Sequence, residues 1–220
     1  QDVRPLEWAL LALINRGTWT VVGDLNQRRS HHSAMTWTTF RETVRHVTRR
    51  KSPWRDVELS TGYRSTQQIL KLAQKLLPAA ERRAQCLQTD GPEPSRVRVR
   101  TNELADRAID EALALQNKYP HGAIAIIAMQ PDTISTALVK RGWEVQHSSK
   151  HLWHPKTRQK EIPSSVSLLT PENARGLEFD GVVVVEPATY PKTIIGNGLL
   201  YTSLTRANRE LVIAYSSTLP

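Results

Sequence analysis

Four short segments hold the residues best suited to chemistry. Each places polar groups where a strand gives way to a loop. Thr20–Gln27 (TVVGDLNQ) is a β-rich run with a turn glycine, an Asp, and a Gln whose amide can both donate and accept. Glu58–Ser65 (ELSTGYRS) sets an aromatic ring beside a guanidinium just ahead of a helical pattern, so Tyr63 can stack on a base and Arg64 can clamp a phosphate with two bonds. Val166–Phe179 (VSLLTPENARGLEF) leads into the apolar run GVVVVEP. Its Arg175 and Gly176 mark a loop where backbone N–H groups can approach an anion, and Glu178 is the acceptor best suited to a sugar hydroxyl. Leu200–Ala207 (LYTSLTRA) ends on Arg206, a cation suited to a terminal phosphate. Taken singly, each segment also reads as an ordinary turn or a surface arginine.

Alternating strand and helix patterns must position these groups. A helix is expected over 6–16, a strand over 18–22 and a helix over 36–48. The basic run Arg49–Lys51 followed by Ser52 and Pro53 then marks a crossing between two units. Beyond it, strands are expected at 55–60, 96–100, 123–128, 143–147, 165–170, 181–185 and 210–215, with helices at 65–77, 103–118, 132–141 and 198–206. The prolines and glycine between 78 and 95 read as a loop. The polar stretch 148–165 reads as a surface excursion or a small hairpin. This alternation predicts an α/β fold with a doubly wound, mainly parallel sheet flanked by helices.

Composition narrows the partners. The 220 residues carry 30 Lys and Arg against 21 Asp and Glu, a formal charge of +9, which favours a polyanionic partner such as nucleic acid or nucleotide. The single cysteine, Cys86, excludes an internal disulfide framework and a thiolate zinc cluster, and it suits a reducing, cytoplasmic setting. No apolar run approaches the length of a membrane span. His31 and His32, and His147, His151 and His154, lack a carboxylate or thiolate that would complete a metal shell, so no metal site is expected. The six Trp are scattered, and Trp8 and Trp37 suit packing better than base stacking.

In order, type and spacing, the VGD…Q, YRS, GLEFD and LTRA segments resemble the later motifs of UvrD-like superfamily 1 helicases, and the resemblance spans nearly the whole chain. Gln1 and Asp2 resemble the tail of that family's DEAQD segment. The resemblance implies a RecA-like second motor domain over 52–220, preceded over 1–51 by the tail of the first motor domain and the crossing segment. It implies that Gln1 and Gln27 sense the γ-phosphate, that Tyr63 stacks on adenine, that Arg64 and Arg206 contact the phosphates, and that Glu178 meets the ribose near Gly176. Thr170, Arg175, Thr202 and Thr205 would face nucleic acid, single-stranded DNA above all, in the groove between two motor domains. ATP and Mg²⁺ are the implied cofactors.

The chain also departs from the family. It has no G-x-x-x-x-G-K-[ST] loop, and the acidic pair that would hold Mg²⁺ falls just before Gln1, so this segment alone is expected to be inactive. The absence of an initiator Met fits an excised fragment. Glu172 stands where the family usually has His, and RRSHHSAM replaces an aromatic, Arg-rich stretch. The interval from Arg64 to Thr170 is too short for the inserted DNA-handling domain. These departures point toward the HelD-like branch, whose partner is RNA polymerase. A non-catalytic module that holds nucleic acid or protein, and a nuclease-linked or phage-defence motor, are the other readings.

Overall fold

The computed structural model describes residues 3–15, 17–27, 36–49, 53–82, 84–145, 152–155 and 166–219. Two uninterrupted apolar runs set the architecture, because a strand that is apolar on both faces must be covered on both. They form β4 (Ile124–Ala128) and β8 (Phe179–Val185) at the centre of a seven-stranded sheet. With β3 (Ser95–Arg98), β7 (Val166–Leu169) and β9 (Ala207–Tyr215), they make a parallel block in the order β3-β9-β8-β4-β7. Two antiparallel strands, β6 (Leu152–Pro155) and β5 (Trp143–Val145), extend it beyond β7. The described part of the polar 148–165 stretch is thus one arm of a hairpin.

Helices cover both faces. Helices α4 (Leu104–Lys118) and α5 (Asp132–Lys140) pack on one side, where Ile109, Leu115, Ile134 and Leu138 meet Ile126, Leu168, Val183 and Val212. Helices α3 (Gln67–Gln74) and α6 (Ile194–Leu204) pack on the other, where Ile69, Ala73, Leu200 and Leu204 meet Ile127, Val182, Val184 and Leu211. Complete burial of each Ile or Val in the central strands contributes about 1.5–3 kcal/mol. The architecture is the α/β, doubly wound, mainly parallel sheet expected of a RecA-like fold.

A satellite core lies ahead of the sheet. Helix α1 (Pro5–Ile14) packs on α2 (Trp37–Thr48), whose first turn is capped by the Thr36 hydroxyl accepting from Thr39 N at 3.0 Å. Phe40 is its hub. The rings of Trp8, Trp37 and Trp54 lie 4.6, 6.2 and 5.6 Å from the Phe40 ring, so these tryptophans are packing residues. Trp54, beyond the crossing expected at 49–53, joins the core of the segment before it.

Two expected strands do not form. Residues 18–22 make no sheet ladder among the described residues, because Trp19 and Val21 pack into the Phe40 cluster instead. In 55–60 the alternate residues Val57 and Leu59 are 69% and 87% exposed, leaving that run no buried face. Pairing begins only at β1 (Thr61–Gly62), which lies parallel to β2 (Gln85–Cys86) inside the expected loop. No helix among the described residues is long and apolar enough to cross a membrane.

Candidate functional site

Backbone and side-chain bonds stitch three of the four segments together at the N-terminal ends of β8 and β9. The buried Ser65 hydroxyl donates to Ala207 O at 2.7 Å, fastening the Tyr63–Ser65 turn to the start of β9. Phe179 N donates to Arg206 O at 3.0 Å, fastening the start of β8 to the residue before β9. Arg206 Nη1 donates to Leu177 O and Nε to Thr202 O, each at 3.1 Å, which fixes the plane of the guanidinium. Ser65, Leu177 and Ala207 were not expected to matter. Ser65 stands next to Arg64 in the motif, but the role of the Leu177 carbonyl has no side-chain signature.

Arg64, Glu178 and Arg206 therefore meet. Arg64 Nε lies 2.8 Å from Glu178 Oε1, with both groups open to solvent, so the pair contributes little to stability and can exchange for a ligand. Arg206 is only 6% exposed. Burial pulls its pKa below the ordinary value, and the nearby Arg64 pulls the same way, followed by the opposing Glu178 and Tyr201 and then Arg175. The guanidinium stays charged, since its ordinary pKa lies far above neutrality. Arg206 thus lies within electrostatic reach of Arg64, Arg175 and the Glu178 carboxylate, and among the described residues its Nη2 has no hydrogen-bond partner. Such a cluster favours an anion in a partly dehydrated setting. Tyr63 stands beside it, 69% exposed, with its carbonyl accepting from Gln88 Nε2 at 3.2 Å.

The fourth segment reaches the same region through α6. Asp24 accepts from Asn26 N at 2.9 Å and from Gln27 Nε2 at 2.8 Å, closing a tight turn that orients the Gln27 amide. Gly198 lets this turn dock, since a Cβ there would lie 2.5 Å from Asn26 O. Gln27 O accepts from Arg175 Nη1, tying the turn to the loop before β8. Burial, reinforced by Asp24, pushes the Tyr201 phenol up to about 12, so it serves as a neutral wall between the turn and Arg206.

The remaining expected residues divide. Gly176 is exposed and has φ +78, a left-handed conformation that favours glycine at this bend. Thr170 lies at the C-terminal end of β7, on the opposite sheet edge from Arg206, and its hydroxyl accepts from Asn173 N at 3.3 Å. Thr205 is half-buried and bonds back to Tyr201 O at 2.9 Å. Thr202 differs from its expected place on a nucleic-acid surface: it is fully buried, and its hydroxyl donates to Gly198 O at 2.8 Å inside α6. Arg175 is half-buried against Gln27, so its Nη1 is directed at the chain itself. Gln1, His31, His32, His147 and His151 lie outside the described residues, as does the RRSHHSAM stretch.

No family model matches the sequence. No curated protein matches it either. Among solved structures, the chain is similar to the C-terminal domain of a possible DNA helicase from Lactobacillus plantarum WCFS1, with 27% identity over 72% of this chain and 89% of that one and a TM-score of 0.52. Weaker likenesses are to the large terminase ATPase domain of a Thermus phage and to the large terminase of a thermophilic bacteriophage. The first has 21% identity over 58% of this chain and 61% of that one (TM-score 0.36), and the second 13% over 70% and 39% (TM-score 0.35). Those two scores fall below that of a shared architecture. The chain has a RecA-like α/β fold, shared with the C-terminal domain of that possible DNA helicase.

Proposed function

We propose that the chain is the C-terminal motor segment of an ATP-dependent superfamily 1 DNA helicase or translocase, supplying one wall of a composite ATP site. The convergence of Arg64, Glu178 and Arg206 at one sheet edge supports this most strongly. Residues 1–51 are the tail of a first motor domain and the crossing, and 52–220 are the second motor domain. Arg206 and Arg64 bind the γ-phosphate side of the nucleotide, Tyr63 stacks on adenine, Glu178 turns from Arg64 to the ribose, and Gln27 and Gln1 read the terminal phosphate. The phosphate-cradling loop comes from the first domain. Mg²⁺, when bound, neutralises charge on the β- and γ-phosphates. In this reading the ligands of Mg²⁺ come from the first domain as well. Domain closure brings the arginines to the nucleotide, and opening after hydrolysis moves the bound strand or partner.

Thr170 and Glu172 lie together at the opposite edge, where single-stranded DNA would run. The exposed carboxylate of Glu172 there favours a second reading, a HelD-like ATPase that remodels RNA polymerase in the cytoplasm. ATP turnover of the full-length protein, measured alone, with single-stranded DNA and with RNA polymerase, separates the two. We expect stimulation by DNA. Stimulation by polymerase alone supports the HelD-like reading, and no turnover under any condition leaves a non-catalytic binding module.

A further inference from the structure

An arginine ladder runs along the edge of the sheet away from the site above. In β3 and its extension, Arg96, Arg98 and Arg100 alternate with Val97 and Val99, and Val99 N continues the ladder by donating to Tyr215 O at 2.9 Å. Alternate residues of a strand share a face. The valines are half-buried, Val97 against the α4 side, while all three arginines are exposed. Among the described residues none of the three has a salt bridge or a side-chain hydrogen bond. Their spacing along the strand is about 6.6 Å, close to the phosphate repeat of an extended single strand.

The ladder ends in an open cleft of about 620 Å³ lined by Arg98, Val99, Arg100, Thr101, Glu103 and Ser216. Ser216 on its far wall is held in place by Glu186, which lies behind the lining. Glu186, at the end of β8, has φ 46, a conformation uncommon for a non-glycine residue. From there its carboxylate accepts from Ser216 N at 2.8 Å and from Ser216 Oγ at 2.6 Å. Thr101 Oγ1 donates to Ser216 Oγ at 3.3 Å, joining the two walls, and α4 starts directly behind them. Strained, tightly bonded residues of this kind cluster at ligand sites.

We propose that this ladder and cleft bind the phosphodiester backbone of single-stranded nucleic acid, each arginine meeting one phosphate. The surface lies at the C-terminal ends of β3 and β9, opposite Arg206, and it acts without nucleotide, so it stands or falls separately from the ATP reading. Edge-strand arginines also discourage strand pairing between molecules, a role that requires no ligand. The two are told apart by the binding of labelled oligothymidylate and oligouridylate to the chain across a salt series, followed by fluorescence anisotropy. For single strands the slope of log K against log salt falls by about 0.7 for each phosphate that is no longer neutralised, so the triple variant Arg96→Gln, Arg98→Gln, Arg100→Gln should lose about 2 from the slope and bind roughly tenfold or more weakly. The triple Lys variant should restore the slope. A charge-matched variant, Lys71→Gln, Lys140→Gln, Lys192→Gln, should leave it nearly unchanged. Binding of both oligomers means that phosphate alone is read, and binding of one means that the sugar is read as well; both support the site. An unchanged slope in the triple Gln variant, an equal fall in the charge-matched variant, or no binding by the unmodified chain overturns it.

Discussion

Replacing Arg206 with Ala in the full-length protein should lower kcat for ATP by about 10²–10³, a loss of about 3–4 kcal/mol of transition-state stabilisation, with a much smaller change in KM. The geometry explains why the cost falls on turnover. Nε and Nη1 are committed to Thr202 O and Leu177 O, so the guanidinium is already held in place before any phosphate arrives. A preorganised cation in a partly dehydrated site stabilises developing charge without reorganising. The substitution also strips the Leu177 carbonyl of its donor and leaves Thr202 O only the Thr205 hydroxyl at 3.2 Å, which costs about 1–3 kcal/mol of stability where the Leu177 carbonyl remains buried. Arg206→Lys separates the two effects. It keeps the charge but loses the planar fork, so turnover should stay well below that of the unmodified protein while most of the thermal stability returns. Steady-state hydrolysis alongside thermal melting checks this, and an unchanged kcat in the Ala variant would remove Arg206 from the phosphate site.

Gly196→Ala should be strongly destabilising, since an added Cβ there would make the closest backbone approach of those found at the glycines of the described residues. Gly196 sits in the first turn of α6, where its N–H donates to the Thr193 hydroxyl at 3.1 Å. A Cβ at this position would lie 1.7 Å from Pro191 O and 2.6 Å from Pro191 C. Both are backbone atoms, and Thr193 N donates to the same Pro191 O at 2.8 Å, so the obstacle has little room to retreat. Overpacking of this kind costs about 1–3 kcal/mol, and losing the cap adds about 1 kcal/mol more. For a chain of this size the sum corresponds to a fall in Tm of roughly 5–15 °C, measured by circular dichroism. Because α6 ends at Leu204, two residues before Arg206, the same change should also displace the Arg206 guanidinium. A Tm within error of the unmodified protein would show that α6 begins differently.

The parallel core was legible because burial on both faces leaves a plain mark: IAIIA and GVVVV cannot sit at a wet surface. Helices α4 and α5 were legible from apolar residues at helical spacing. Strands expected at 18–22 and 55–60 failed for a different reason. A short β-rich run becomes a strand only if a neighbour supplies a ladder, and Trp19 and Val21 found an aromatic cluster instead. The residue types of the candidate site could be read from the sequence, but their bonds could not. Nothing in the segments around Arg64 and Glu178 says that these two residues pair, because their meeting depends on how β8 and β9 lie side by side. Thr202 shows the converse. Its motif context suggested a surface role, yet the side of α6 on which it falls is turned into the core. The left-handed backbone of Glu186 had no precursor in the sequence, since its residue type does not ask for that conformation.

The placement of the nucleotide against the edge formed by Tyr63, Arg64, Glu178 and Arg206 is tested most directly by photolabelling the full-length protein with 8-azido-ATP, followed by tryptic peptide mapping. Trypsin cuts after Arg55 and Arg64, releasing a peptide of residues 56–64 that carries Tyr63. The account predicts label on that peptide, abolished by excess ATP and weakened by Arg64→Ala, in which the peptide carrying Tyr63 runs on to Lys71. ATP-protected label found only on peptides remote from this edge would contradict it.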